Sequence, residues 1–141
     1  MATTTATITL ASTDITDNAL SISNTATLTT AGTDTGLTET TGLARVKTSS
    51  GSNTLLLDFG LTGGVAQDVT ADKSAKVYIK NINDRGDGTK FVDILIKTRE
   101  IGRLYGGDWM FIPWAGADGE DIEYTASDTT ETTLEYCVFY E

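Results

Sequence analysis

Beyond Lys73 two successive segments alternate apolar and polar residues with a period of two, and that alternation restricts the fold more than any other feature. In KSAKVYIKNIN, residues 73–83, Ala75, Val77 and Ile79 fall on one face while Lys76, Tyr78 and Lys80 fall on the other. In KFVDILIKT, residues 90–98, Val92, Ile94 and Ile96 share a face. Between them DRGDG supplies an Asp-Gly pair and a second glycine, which predicts a hairpin joining the two strands. Further strands are predicted over 99–105, 109–114, 121–126 and 132–140, and ARVKT continues the pattern upstream. NTLLLDFGL is read with Leu55, Leu57, Phe59 and Leu61 on one face. No window of helical length sustains a 3.6-residue period. Short strands separated by glycine or aspartate turns every eight to twelve residues predict an all-β chain, an antiparallel β-sandwich of jelly-roll type.

The first third reads differently. Sixteen of the first 41 residues are threonine, which favours extended backbone over helix. TATITLASTD (5–14) and TATLTTAGTD (25–34) match at seven of ten positions. Ala6, Ile8 and Leu10 alternate with Thr7, Thr9 and Ala11, and Leu20 shares a face with Ile22, so half-buried strands are expected here. The organisation predicted for these 141 residues is a Thr-rich extended N-terminal arm or early strands over 1–43 and a β-sandwich body over 44–141, a single domain overall.

Composition narrows the chemistry. Histidine is absent, which removes the commonest general base and the usual zinc ligand, and the chain is expected not to be an enzyme. A net charge of −10 opposes nucleic-acid binding. Residues 1–44 carry four acids and no base, residues 45–103 ten bases and seven acids, and residues 104–141 nine acids and no base. Such segregation fits a solvated acidic face, and equally suits copies packing acidic end to basic middle or docking on a patterned partner. The apolar runs are too short to span a bilayer, and the N-terminus lacks the basic and apolar regions of a secretory signal. The lone Cys137 is expected as an inert, buried or half-buried thiol.

GDWMFIPW, residues 107–114, holds both tryptophans and the only proline. As a strand it points Trp109, Phe111 and Pro113 one way and Met110, Ile112 and Trp114 the other, so both faces are apolar and each needs a cover. Proline cannot donate to a ladder, which places Pro113 at an edge, a bulge or a strand end. The candidate protein-interface residues are Trp109, Phe111, Pro113, Trp114, Tyr105, Lys76, Tyr78 and Lys80. Tyr105, Trp109 and Trp114 would alternatively make a flat aromatic platform for sugar. Asp118, Glu120 and Asp121 form an acidic loop that is a calcium candidate without a full calcium-loop pattern; no other metal and no cofactor are expected. No pair among the acids marks itself out for glycoside hydrolysis. Arg85-Gly86-Asp87 spells an adhesion tripeptide but reads as a turn.

Taken in succession, KSAKVYIKNIN, LYGGDWMFIPW and TTLEYCVFYE resemble small β-sandwich virion proteins of tailed bacteriophages, especially capsid decoration or cement proteins. The likeness lies in a lysine-flanked strand ending in IKN, a glycine turn into an aromatic FIPW strand, and a C-terminal strand of EYxxF type. It implies a non-enzymatic protein, made in the host cytoplasm and located on the capsid surface of the virion. Its implied partners are the major capsid protein and itself, as a dimer or trimer. A tail, neck or fibre component, or a carbohydrate-binding module, is the alternative.

Overall fold

The structure is a computed structural model that describes residues 3–13, 20–29, 39–48, 51–57, 74–86, 90–115, 120–127 and 131–140. All regular structure among them is strand, and the chain divides into two compact units, Met1–Thr38 and Glu39–Glu141.

In the first unit, strands β1 (Thr3–Ser12) and β2 (Leu20–Thr29) pair antiparallel without a register break, from Thr3 opposite Thr29 to Ser12 opposite Leu20. Period two sorts the side chains. Thr5, Thr7 and Thr9 share a face with Ser23 and Thr25, and the Thr7 and Thr25 hydroxyls meet at 3.1 Å. Ile8, Leu10 and Ile22 lie on the other face and are exposed rather than half-buried as the alternation alone suggests. A two-stranded ribbon has no second layer of its own to bury them.

The second unit contains β3 (Glu39–Thr40), β4 (Ala44–Thr48), β5 (Thr54–Leu57), β6 (Ser74–Asn81), β7 (Val92–Ile96), β8 (Arg99–Leu104), β9 (Trp109–Ala115), β10 (Ile122–Ala126) and β11 (Thr132–Tyr140). Four antiparallel pairs are nested one inside the next: β7 with β8, β6 with β9, β5 with β10, and β4 with β11. Two further ladders, β10 on β7 and β11 on β6, fold this long double strand into two sheets. One sheet runs β5-β10-β7-β8; the other runs β11-β6-β9, with β3 and β4 both along the far side of β11. This connectivity is a jelly roll, so the antiparallel sandwich expected from the alternation is the fold.

Inward side chains from both sheets make one core. Val77 and Ile79 of β6, Leu134, Tyr136 and Val138 of β11, and Trp114 of β9 meet Leu56, Leu57, Val92, Ile94, Leu104, Ile122 and Tyr124 from the opposing sheet. Leu56 and Leu57 are both buried because a bulge lies where Ile122 faces Leu57 but Glu123 faces Leu55. The extra residue turns Leu56 inward and takes Leu55 off the face it was expected to share with Leu57. Phe59 and Leu61 lie outside the described residues.

The predicted hairpin between β6 and β7 does not form. Those strands belong to different sheets, and the segment from Asn81 crosses the end of the sandwich instead. Both flanks of β6 are already occupied, by β9 and β11. Asn81, fully buried, organises the crossing. Its Nδ2 donates to the carbonyls of Lys90 (3.1 Å) and Leu104 (3.0 Å), which lead into β7 and out of β8. Its Oδ1 accepts from the backbone N–H of Asn83 at 3.1 Å and from the Asn83 side chain. On the main chain, Asn81 N–H donates to Asp108, and Gly107 N–H donates to Asn81. Gly107, at φ +85°, sits in the turn closed by Asp108 N–H to the Tyr105 carbonyl, and the backbone of Asp84 lies so close to Gly106 that no Cβ fits there. The hairpin actually present near this segment is β7–β8, whose turn residues Lys97 and Thr98 take φ of 50° and 64° without glycine.

Three outcomes follow for stability. A chain starting at Glu39 is expected to keep a cooperative thermal transition and the near-ultraviolet spectrum of the buried aromatics, since the second unit holds its own core. Asn81→Ala leaves carbonyls and an N–H unpaired in the interior and should lower unfolding free energy by about 3 kcal/mol in urea titration. Thr132 is fully buried and its hydroxyl has no partner, so Thr132→Val should be neutral or raise stability by up to about 1 kcal/mol in the same assay.

Candidate functional site: the outer face of the five-stranded sheet

Strand β9 has two apolar faces, and the structure separates their fates. Trp114 is 3% exposed in the core, its Nε1 donating to the Glu120 carbonyl at 2.7 Å, and Met110 and Ile112 pack against the core beside it. Trp109, on the opposite face, is 50% exposed. Of the expected interface residues, Trp114 therefore has no access to a partner. Tyr105 lies apart as well: it belongs to the β8–β9 turn, and its ring meets Phe91 edge-on at 5.8 Å while Arg103 covers the Phe91 ring at 3.7 Å. The Tyr105, Trp109 and Trp114 platform is accordingly not assembled. The remaining six, Trp109, Phe111, Pro113, Lys76, Tyr78 and Lys80, share the outer face of the five-stranded sheet.

Register builds that face in rows. Arg45, Glu135, Lys80 and Trp109 follow one another across four strands; Cys137, Tyr78 and Phe111 make the next row; Phe139, Lys76 and Pro113 the third. Main-chain bonds from Asn81 to the β9 side set the alternation, so Ile79 and Val77 carry the β6–β9 hydrogen bonds. Lys80–Trp109, Tyr78–Phe111 and Lys76–Pro113 are then the non-hydrogen-bonded pairs, in which side chains approach closest. Pro113 has its nitrogen turned away from the ladder, the position an edge strand allows it. The Tyr78 and Trp109 rings lie 6.5 Å apart and tilted by 37°.

Charge on the face is arranged in two ways. Both Arg45 Nε and Nη2 bond one oxygen of Glu135, at 3.0 and 2.9 Å, and Lys47 pairs with Glu131 at 2.6 Å. Lys76 and Lys80, bracketing Tyr78, have no carboxylate partner among the described residues. Burial, followed by the negative charge of Glu135, holds the Tyr78 hydroxyl above its ordinary value, so it stays a neutral donor. Cys137, a free thiol, is buried between strands with its Sγ 3.4 Å from Thr40 Oγ1.

Arg45, Glu135, Cys137 and Phe139 were not among the residues expected at this site. The signal was present: Leu134, Tyr136 and Val138 alternate with Glu135, Cys137 and Phe139, the same two-faced pattern that singled out residues 109–114. In the acidic loop, Glu120 is taken up by Lys97 at 2.8 Å, Asp118 lies outside the described residues, and no group of three potential metal ligands occurs among the described residues. Arg85 of the tripeptide pairs with Asp108 at 3.2 Å, and Asp84 Oδ1 caps Gly86 N–H; Asp87 lies outside the described residues.

No protein-family model matches the chain, and no curated protein matches it.

The two tryptophans should separate in mutation. Trp114→Ala removes a core side chain and is expected to cost about 3–5 kcal/mol, whereas Trp109→Ala should change stability by less than about 1 kcal/mol. Fluorescence checks the assignment: the emission lost in Trp109→Ala is red-shifted and quenched by acrylamide, and the emission that remains is blue-shifted and protected.

Proposed function

We propose that the protein is a non-enzymatic virion structural protein of a tailed bacteriophage, a capsid decoration or cement protein that binds the outside of the major capsid protein shell and stabilises the head. The observation that carries this reading is the half-exposed Trp109 in a continuous aromatic and aliphatic strip on the outer face of a sheet whose inner face already has a core. A surface of this kind is costly to leave wet and is suited to being covered on assembly. The likeness of residues 73–141 to phage decoration proteins supplies the setting. The mechanism is summed burial: a stiff sandwich repeated over a shell lets modest contacts act together, with no chemistry required.

The test is co-sedimentation of the purified chain with whole phage particles stripped of decoration protein, followed by cryo-microscopy. Decoration of the shell, with heads that withstand heating or low ionic strength better, is the expected result. Density confined to the tail or neck would overturn the assignment to the head. Glycan-array binding that disappears in Trp109→Ala, without binding to heads, would favour a carbohydrate-binding module instead.

A further inference from the structure

Resting on the reading that the outer face of the five-stranded sheet is covered on assembly, we infer that its occupant is the acidic surface of a second copy of this chain, in a head-to-tail contact. Among the described residues four cations stand on or beside this face, Arg45, Lys47, Lys76 and Lys80, against two carboxylates, Glu131 and Glu135. The chain as a whole has 20 acids and ten bases, a net charge of −10. Among the described residues this face is thus net positive, in a chain whose net charge is strongly negative.

The cations that count are Lys76 and Lys80. Arg45 and Lys47 are neutralised within the sheet, whereas the two lysines on the central strand have no carboxylate partner among the described residues despite the excess of acid. They flank Tyr78 and are paired across the ladder with Pro113 and Trp109. A partner that buries these rings must also bring carboxylates to the lysines, since a buried cation without a counter-charge is expensive.

Symmetric pairing is disfavoured by the same charges. If two copies met through this face alone, Lys76 and Lys80 would oppose their own positive face. Copies of net charge −10 also repel wherever acidic surfaces meet. Basic face on acidic surface is the pairing between identical molecules in which attraction replaces both repulsions, and it is heterologous: one copy gives the face and the next gives the acids.

Heterologous contacts have a signature in mixtures. A K76E/K80E chain loses its own receptive face but keeps its acidic surface, so it should still dock onto the face of a wild-type chain and cap it. Sedimentation velocity of the full-length chain over a dilution series reads this directly. The expected result is concentration-dependent association, weakened about tenfold or more by high ionic strength and by K76E/K80E, with labelled K76E/K80E still entering complexes with wild type. K76Q/K80Q, with unchanged circular dichroism, should show a smaller loss in the same direction. A chain that stays monomeric throughout, association indifferent to salt and to both variants, or exclusion of the labelled variant from wild-type complexes would overturn the inference. Head binding is scored separately: its loss with self-association intact overturns the decoration reading and leaves this contact standing.

Discussion

A single buried amide holds the jelly roll closed at one end. Asn81 ends the central strand β6, and its side chain reaches the carbonyls at the entry to β7 and the exit from β8 while its main chain bonds the turn into β9. Two crossings between sheets are therefore fixed by one residue whose polar atoms are all satisfied. An apolar side chain of similar size would fill the space but leave those groups unpaired, and a half-satisfied network in the interior is worse than none. Around this point the nested pairs acquire their registers, and with them the rows of side chains on either face.

Registers matter because they decide what each face carries. On β9 and β11 both faces are largely apolar, and the sandwich consumes only one of them. The inner residues, from Met110 to Trp114 and from Leu134 to Val138, belong to packing. The outer ones meet Lys76, Tyr78 and Lys80 on β6, so aromatic surface and positive charge arrive at the same place. In a chain this acidic, two lysines of the central strand without carboxylate partners among the described residues are a local departure from the overall charge balance, and the proposed self-contact makes use of that departure.

Much of this was legible in the residues, and the limits have physical causes. Alternation in 109–114 and 132–140 located both strands and sorted their faces, because period two is intrinsic to extended backbone. Pairing was not legible: DRGDG has the chemistry of a hairpin turn, yet β6 was already flanked, and competition between ladders is invisible within one segment. Lys97 and Thr98 turn the chain without glycine, so the β7–β8 hairpin carries no local signature. The bulge at Leu56 exchanges two neighbouring leucines between faces, a shift that a hydrophobic pattern of three successive leucines cannot reveal. At the site, six of eight expected residues share one surface; Trp114 and Tyr105 do not, since residue type alone does not distinguish an anchor for a partner from a core residue.

Pro113 bears on what can pair with this edge of the sheet. With its nitrogen facing away from β6 at the sheet margin, it deprives an incoming strand of a main-chain donor where extension of the sheet would begin. In the proposed self-contact, neighbours would then meet through side chains on their faces and not through a shared backbone ladder. Copies joined in that proposed way would remain separate, exchangeable pieces, able to leave and rejoin without unravelling themselves or their neighbours.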